Sequence, residues 1–271
     1  MQDFTLDLIA EISVFFLGAC IGSFLNVLIF RLPRKISIIL PSSFCPYCRR
    51  KIRWFDNIPL LSFLILGGKC RFCKKPISSR YFFVELLTAC LFVFLFKKFK
   101  FSSTFIVMCI FSSLLIVASF TDLEHRIIPD EISLGGILLG LILSAIFPWI
   151  HKGIGWSYLN VHMRAFLESA IGAITGAGLL YITGWIGSII FKKEAMGGGD
   201  VKLLALVGSF WGPKIALFSF LFAPFLGSIA GIIHKLKTGQ STIPYGPFLA
   251  IGGFLGVFVA EEFFYIIWGV R

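Results

Sequence analysis

Charged residues are scarce in this sequence. They make up 14% of its 271 residues, against 57% hydrophobic residues and a mean hydropathy of +0.90. Soluble domains usually have about a quarter of their residues charged. The apolar residues also gather in long blocks. Both features argue against a soluble domain and indicate a chain that lies largely within a membrane.

Basic residues are absent from the first 30 positions, where Asp3, Asp7 and Glu11 lie instead. A cleaved signal peptide needs a positively charged region before its apolar core. We therefore expect the first apolar block, residues 8–30, to be a permanent membrane span.

Eight blocks are candidates for membrane spans, which need roughly 20 apolar residues, or somewhat fewer where flanking side chains reach the interface. They are residues 8–30, 81–96, 101–120, 134–150, 165–191, 201–211, 215–233 and 248–268. The weakest is 201–211, which is short and stops at Gly212 and Pro213. The sequence predicts an all-α polytopic membrane protein with about eight transmembrane helices.

Twelve of the 25 Lys and Arg residues lie between the first two predicted spans, in residues 31–80. Basic residues favour the cytoplasmic side of a membrane, so this loop is predicted to be cytoplasmic and both termini to lie outside. The net charge of +11 could indicate nucleic-acid binding. Because the cations are confined to membrane edges, contact with lipid headgroups explains the charge better, and no nucleic-acid partner is expected.

The loop contains two Cys-x-x-Cys pairs, Cys45 with Cys48 and Cys70 with Cys73, separated by 21 residues. Such paired turns are typical of a tetrahedral zinc site, and neighbouring Lys and Arg residues would help to keep the thiols deprotonated. The alternatives are two disulfides, which a reducing cytoplasm disfavours, or four idle thiols. We predict one structural zinc per chain, because four protein ligands leave no open coordination position.

Two acids stand at the cytoplasmic ends of predicted spans. Asp122 follows the span 101–120, and Asp200 follows three consecutive glycines. An ionisable residue at membrane depth is costly and is therefore a functional candidate. If the two carboxyl groups meet, they could share one proton, with one acting as base on a water and the other as acid on a peptide carbonyl. The alternative is that both residues are helix N-caps or interfacial charges.

The glycines before Asp200 are Gly197, Gly198 and Gly199. A backbone without Cβ atoms can approach an extended substrate closely, although a flexible turn between two helices would have the same composition. Lys202 points away from Asp200 if both lie on one helix, so it is assigned to a headgroup contact or a substrate contact.

Several motifs, in order along the chain, resemble those of the prepilin peptidases, the type IV leader peptidase family of bacterial inner membranes. They are GSFLNVLIFRLP at 22–33, the two Cys pairs, NIPLLS at 57–62, KPISSRYFFVELLT at 75–88, Asp122 with IPD at 128–130, GGGDVKL at 197–203 and IPYGPF at 243–248. Any one of them is modest evidence, but their joint occurrence is very specific.

The resemblance implies an enzyme with two activities. It would cleave the short basic leader of type IV prepilins or type II secretion pseudopilins at the cytoplasmic face. It would then methylate the new N-terminal amine, usually of phenylalanine, from S-adenosylmethionine. The family's catalytic aspartates map onto Asp122 and Asp200, and its zinc ligands map onto the four cysteines.

The implied organisation has three parts: a first transmembrane helix (1–30), a zinc-binding loop linked to methylation (31–80) and a transmembrane aspartyl peptidase (81–271). Glu85, an intramembrane acid next to the loop, is the candidate for positioning the substrate amine or the cofactor in methyl transfer. The alternative is an interfacial acid near Arg80.

Two other classes use some of the same features. A presenilin-like intramembrane protease also has a Gly-x-Gly-Asp aspartate, but the zinc loop and the absence of a Pro-Ala-Leu motif argue against it. A transporter or zinc-anchored scaffold would place the acids on an ion path. Cleavage of a prepilin in detergent separates an enzyme from this last class.

Overall fold

A computed structural model describes residues 2–151, 160–192, 196–239 and 243–269. Within these ranges the chain is helical and has no β-strand, only two isolated antiparallel bridges. The α-helices are α1 (Gln2–Arg31), α2 (Leu61–Ile65), α3 (Arg80–Phe99), α4 (Ser103–His125), α5 (Asp130–Ile146), α6 (Val161–Phe191), α7 (Gly198–Thr238) and α8 (Gly246–Trp268). The all-α prediction is confirmed.

Five of the described helices, α1, α4, α6, α7 and α8, are long and apolar enough to cross a membrane. The other predicted spans are also helices but are less apolar or shorter. α3 includes Arg80, Glu85, Lys97 and Lys98 among its 20 residues, and α5 has only 17 residues. The two predicted spans 201–211 and 215–233 both lie in α7, which is divided between them at Gly212, where the backbone is not helical. Each of the eight predicted blocks therefore corresponds to a helical segment.

Most helices differ at one or both ends from the predicted apolar blocks, as α4 and α5 illustrate. α4 continues to His125, five residues past the predicted block, so Asp122 lies in its last turn, at the end of the helix as predicted. α5 begins at Asp130 and ends at Ile146, four residues before the predicted end. It ends there because Pro148 disfavours helical geometry at Phe147, which has φ −117° and ψ 70°. Residues 148–150 form a separate 3-10 turn.

The chain divides into two compact units, Met1–Val117 and Ala118–Arg271. In the first unit α1 packs against α3 through two glycines. A Cβ added at Gly18 would lie 2.7 Å from the Cα of Ala89, and one added at Gly22 would lie 2.7 Å from the Cα of Glu85. The glycine pair therefore allows two helix backbones to approach closely, as in small-x-x-x-small membrane contacts.

In the second unit α6 packs against α7 in the same way. A Cβ at Gly172 would overlap the carbonyl oxygen of Gly208, and one at Gly208 would overlap that of Gly172. A Cβ at Gly176 would overlap the carbonyl of Leu204. These contacts are with backbone atoms, which cannot move aside as a flexible side chain can, so the α6–α7 packing requires glycine at these positions.

α7 is kinked at Gly212, which has φ 80° and ψ −179° and precedes Pro213. A proline has no N–H, so the carbonyl four residues earlier, that of Ser209, loses its helical donor. The hydroxyls of Ser144 in α5 and Ser169 in α6 donate to this carbonyl instead. The kink is thus stabilised by two neighbouring helices, which fix the direction of the N-terminal half of α7, where Asp200 lies.

Candidate active site and metal centre

Asp122 is buried in the last turn of α4. Its Oδ2 accepts a hydrogen bond of 2.8 Å from the backbone N–H of Gly246, the first residue of α8. The first N–H groups of a helix have no partner within the helix and carry partial positive charge, so a carboxylate is well placed there. A Cβ added at Gly246 would lie 2.8 Å from the same oxygen, so glycine is what lets Asp122 reach this N–H.

Asp200 lies in the first turn of α7 and is partly buried. Its backbone N–H bonds the carbonyl of Gly197, the N-cap, at 3.1 Å. The carboxyl groups of Asp200 and Asp122 lie near enough to interact electrostatically, and Asp200 also interacts with Tyr245. The structure therefore brings together the two acids selected from the sequence, each at the end of a helix.

Ile128 lies between the start of α7, which carries Asp200, and the start of α8, whose Gly246 N–H bonds Asp122. A Cβ added at Gly199 would lie 3.2 Å from the Cβ of Ile128, and one at Gly246 would lie 3.2 Å from its Cδ1. The buried Ile128 side chain thus separates the beginnings of α7 and α8. Neither Ile128 nor Gly246 was predicted as a site residue. Both residues belong to motifs that the chain shares with the prepilin peptidases, and these motifs could have indicated them as site residues.

The three glycines before Asp200 differ in their surroundings. A Cβ at Gly197 would lie 3.2 Å from the Oδ2 of Asp200, and one at Gly199 would meet Ile128. A Cβ at Gly198 would have open space around it. Of the three, Gly198 is therefore the one beside which a substrate backbone has room.

Lys202 forms an ion pair with Asp130, the first residue of α5, with Nζ and Oδ1 2.6 Å apart. The Lys202 side chain is 38% exposed and that of Asp130 is 60% exposed, so the pair lies at the surface. The contact joins the start of α7 to the start of α5. The assignment of Lys202 to a substrate contact stays a prediction.

The four loop cysteines form one cluster. Their sulfur atoms all lie within 4.8 Å of one another, and the Sγ atoms of Cys45 and Cys73 are 3.8 Å apart. Zn–S bonds of about 2.3 Å in a tetrahedron place the sulfurs about 3.8 Å apart. All four are free thiols, which excludes disulfides here. The cluster therefore has the ligand type, number and spacing that suit zinc.

The two cysteine turns are built alike. The N–H of Cys45 bonds the carbonyl of Arg50, and that of Cys70 bonds the carbonyl of Lys75. The fifth residue of each turn, Arg49 or Lys74, has φ 58°. Backbone N–H groups, chiefly that of Cys73, lower the pKa of the Cys70 thiol to about 7, whereas burial raises that of Cys45 to about 11. For Cys70, backbone N–H groups lower the thiol pKa, an effect that the sequence analysis had assigned to neighbouring Lys and Arg residues.

Glu85 is buried in α3 and bonds two segments of the first unit. Its Oε2 accepts a 2.8 Å hydrogen bond from the N–H of Leu60 in the loop, and it also bonds the Ser23 side chain in α1. Leu60 has φ 63° and ψ −52°, a strained geometry for a residue with a Cβ. Glu85 therefore holds the loop backbone in a conformation that it would not adopt alone.

Comparisons with known proteins agree with the motifs. The model described as the bacterial peptidase A24 N-terminal domain matches residues 16–99, and that of the type IV leader peptidase family matches residues 109–232. No solved structure gave a significant match.

Similar curated proteins come from several bacteria. A prepilin leader peptidase/N-methyltransferase of Myxococcus xanthus is 38% identical over 84% of this chain, and the match spans 64% of that protein. A type 4 prepilin-like proteins leader peptide-processing enzyme of Escherichia coli is 37% identical, with 91% of this chain and 93% of that protein covered. A prepilin leader peptidase/N-methyltransferase of Pseudomonas aeruginosa is 34% identical, with 91% and 89% covered. The chain therefore belongs to the type IV leader peptidase family.

Proposed function

We propose that this chain is a bifunctional prepilin leader peptidase and N-methyltransferase. The observation that carries the proposal is the pairing of Asp122 with Asp200 at two helix ends, in a segment that the leader peptidase family model matches. The names of the relatives support both activities. The substrates would be type IV prepilins or type II secretion pseudopilins with short basic leaders.

Asp122 and Asp200 would cleave the leader as a pair that shares one proton. The ionised carboxylate takes a proton from water while the water oxygen bonds to the scissile carbonyl carbon. The protonated carboxyl gives its proton to the carbonyl oxygen. The tetrahedral intermediate then collapses and the C–N bond breaks. The leaving amine takes the proton that the first carboxylate accepted from water, and the second carboxylate takes back a proton from one of the intermediate's hydroxyl groups. The Gly246 N–H orients Asp122 throughout, because it bonds the oxygen Oδ2.

The scissile peptide would approach Asp200 along Gly197, Gly198 and Gly199, with the closest passage at Gly198, which has open space. Lys202, exposed on the next turn of α7 and paired with Asp130, would border this approach. A side chain at Gly198 would narrow the path without contacting either carboxyl group.

The loop 31–80 would be the methylation-linked module and residues 81–271 would contain the peptidase. Cys45, Cys48, Cys70 and Cys73 would hold one zinc, which stabilises the fold of the loop, since four thiolates fill its coordination shell. S-adenosylmethionine would supply the methyl group that replaces a proton on the new N-terminal amine. Glu85 would affect methyl transfer by holding Leu60 in place.

The proposed location is the bacterial inner membrane, with the zinc loop and both aspartates on the cytoplasmic side and both termini outside. The excess of basic residues in the loop supports this orientation. It would give the enzyme access to leaders before the pilin is exported.

Mass spectrometry of a prepilin incubated with the enzyme and S-adenosylmethionine tests the proposal. A mass loss equal to the leader and a mass gain of one methyl group on the new terminus are expected. Asp122→Asn and Asp200→Asn should each abolish cleavage while zinc content stays near one per chain. Asp130→Asn, a nearby exposed acid, is the control and should retain cleavage. Cleavage by either dyad variant would exclude the proposed mechanism.

A further inference from the structure

The segment between the two cysteine turns exposes a concentrated set of large apolar side chains. It runs from Trp54 to Ile65, through a 3-10 turn (Trp54–Asn57) and α2. Its exposed apolar residues are Trp54, Phe55, Ile58, Leu61, Leu64 and Ile65. Trp54 is 81% and Ile65 is 78% exposed. Exposed apolar side chains concentrated in one short segment are typical of a binding surface for a protein or a membrane.

Two contacts fix the position of this segment along α3. The N–H of Leu60 bonds Glu85, and the rings of Phe63 and Phe82 lie 5.4 Å apart. Glu85 is five residues after Arg80, where α3 begins, which corresponds to a rise of about 7.5 Å. The segment therefore lies beside the first turns of α3, the helix that was predicted from the sequence as the second membrane span.

The charge around the segment is almost entirely positive. Residues 31–80 contain twelve of the 25 basic residues and one of the 14 acidic residues. That acid, Asp56, is bonded by both its oxygens to Arg71, and the contact keeps the pKa of Asp56 below its usual value. A shallow cavity of about 550 Å³ includes Lys51, Arg53 and Trp54 in its lining. This surface suits an anionic partner with an apolar body.

We propose that the Trp54–Ile65 segment is an interfacial anchor, which inserts its apolar side chains at the headgroup–acyl boundary of an anionic lipid bilayer. Aromatic and aliphatic residues next to Lys and Arg are typical of such anchors, and basic residues near an anionic surface add electrostatic attraction. The anchor would hold the zinc-binding module against the membrane.

A lipid partner fits the charge better than the substrate does. On the proposed function, the leader of a prepilin is basic, so it would be repelled by a module with this excess of positive charge. Anionic headgroups would be attracted to the same module, and acyl chains would accept the leucine and isoleucine side chains. The lipid surface is therefore the partner for which both the apolar and the charged features are complementary.

Photocrosslinking in the full-length protein tests the anchor without requiring catalysis. The photoreactive residue benzoylphenylalanine would replace Ile65 in one sample and Trp54 in a second. In a control it would replace Tyr47, which is also exposed but lies on the first cysteine turn. Each protein would be placed in nanodiscs of phosphatidylethanolamine, with or without phosphatidylglycerol, and its adducts identified by mass spectrometry. Zinc content of about one per chain would show that the loop remains folded.

We expect lipid adducts at positions 65 and 54 to exceed those at position 47 several-fold, and to increase when phosphatidylglycerol is present. Lipid adducts no more frequent than at position 47 would overturn the proposal. Adducts mainly to an added prepilin or to another protein would also overturn it and would identify the surface as a protein-binding site. Either result leaves the peptidase assignment untouched, because that is measured by cleavage.

Discussion

The zinc-binding loop and the helical remainder of the chain differ most in charge. Residues 31–80 have twelve basic residues and one acid, whereas the rest of the chain has 13 of each. The whole net charge of +11 is thus concentrated in the loop. The remainder has no net charge, and two of its acids are placed close together at helix ends. We propose that the positive charge lies where the chain meets the membrane surface and that the paired acids lie where peptide cleavage takes place.

The two regions also differ in what holds them together. The loop has no long helix, and its turns are joined by the cysteine cluster, the Asp56–Arg71 pair and the bond from Leu60 to Glu85. In the second unit, helices pack through glycine backbones and through hydroxyl bonds to Ser209. This difference predicts that a variant in the loop loses zinc and methylation but keeps at least some cleavage. A variant in the helices of the second unit should lose cleavage but keep zinc.

Loss of one zinc ligand should have the largest effect. Cys70→Ser removes a thiolate from a site type whose binding free energy in zinc-finger peptides is about 10–16 kcal/mol. We expect zinc content to fall well below one per chain and methylation to be lost, while at least some cleavage survives. Metal analysis and mass spectrometry of the prepilin measure all three.

Cys90→Ser is the matched control, because Cys90 lies on α3 outside the cluster. It should keep both zinc and methylation. Unchanged methylation in Cys70→Ser would show that the loop is not needed for methyl transfer. Loss of all cleavage would show that the peptidase depends on the loop.

The helix contact between α6 and α7 should be next in effect. Gly172→Ala places a methyl group against the backbone of Gly208, and overpacking of this kind costs about 1–3 kcal/mol. Gly178→Ala on the same helix meets nothing within 4 Å and should be neutral or stabilising, since alanine is favoured over glycine in a helix by about 0.5–1 kcal/mol.

Thermal unfolding in detergent compares the two alanine variants. Gly172→Ala should unfold at a lower temperature and lose cleavage, but it should retain zinc because the cysteine cluster lies in the other unit. Equal unfolding temperatures for the two variants would contradict the backbone contact.

Loss of a hydroxyl at the α7 kink should have a smaller effect. Ser169→Ala removes one donor to the Ser209 carbonyl but leaves Ser144, so we expect a loss of about 0.5–2 kcal/mol, the range for interhelical hydrogen bonds in membranes. Ser188→Ala is the control, because its hydroxyl bonds only its own helix at an exposed site. Thermal unfolding and the cleavage rate of both variants measure the difference. A larger loss in Ser188→Ala would refute the role of the kink.

The sequence predicted the helices because each long apolar block has the composition that a membrane requires. It also predicted the cysteine cluster, since two Cys-x-x-Cys turns leave few alternatives. The motifs selected Asp122 and Asp200 before any geometry was known. Features that depend on neighbouring residues or on a recognised motif could therefore be predicted from the sequence.

Contacts between residues far apart in the sequence could not be predicted in this way. The hydrogen bond from Gly246 to Asp122 joins residues 124 positions apart, and no pattern of apolar and polar residues along the chain indicates it. Likewise, Glu85 could be recognised as an intramembrane acid, but its bond to Leu60 depends on a strained loop geometry that no pattern predicts. The continuation of α4 to His125 was missed because polar residues in its last turn end the apolar block but not the helix.

The smallest effect is expected at Lys202, and it separates structure from substrate recognition. The pair with Asp130 is exposed, and exposed ion pairs contribute about 0–1 kcal/mol, so Lys202→Met should barely change thermal unfolding. Asp130→Asn breaks the same pair and is the matched control. If Lys202 also borders the substrate path, Lys202→Met should raise the KM for prepilin cleavage while Asp130→Asn does not. Equal kinetics for the two variants would limit Lys202 to joining the starts of α5 and α7.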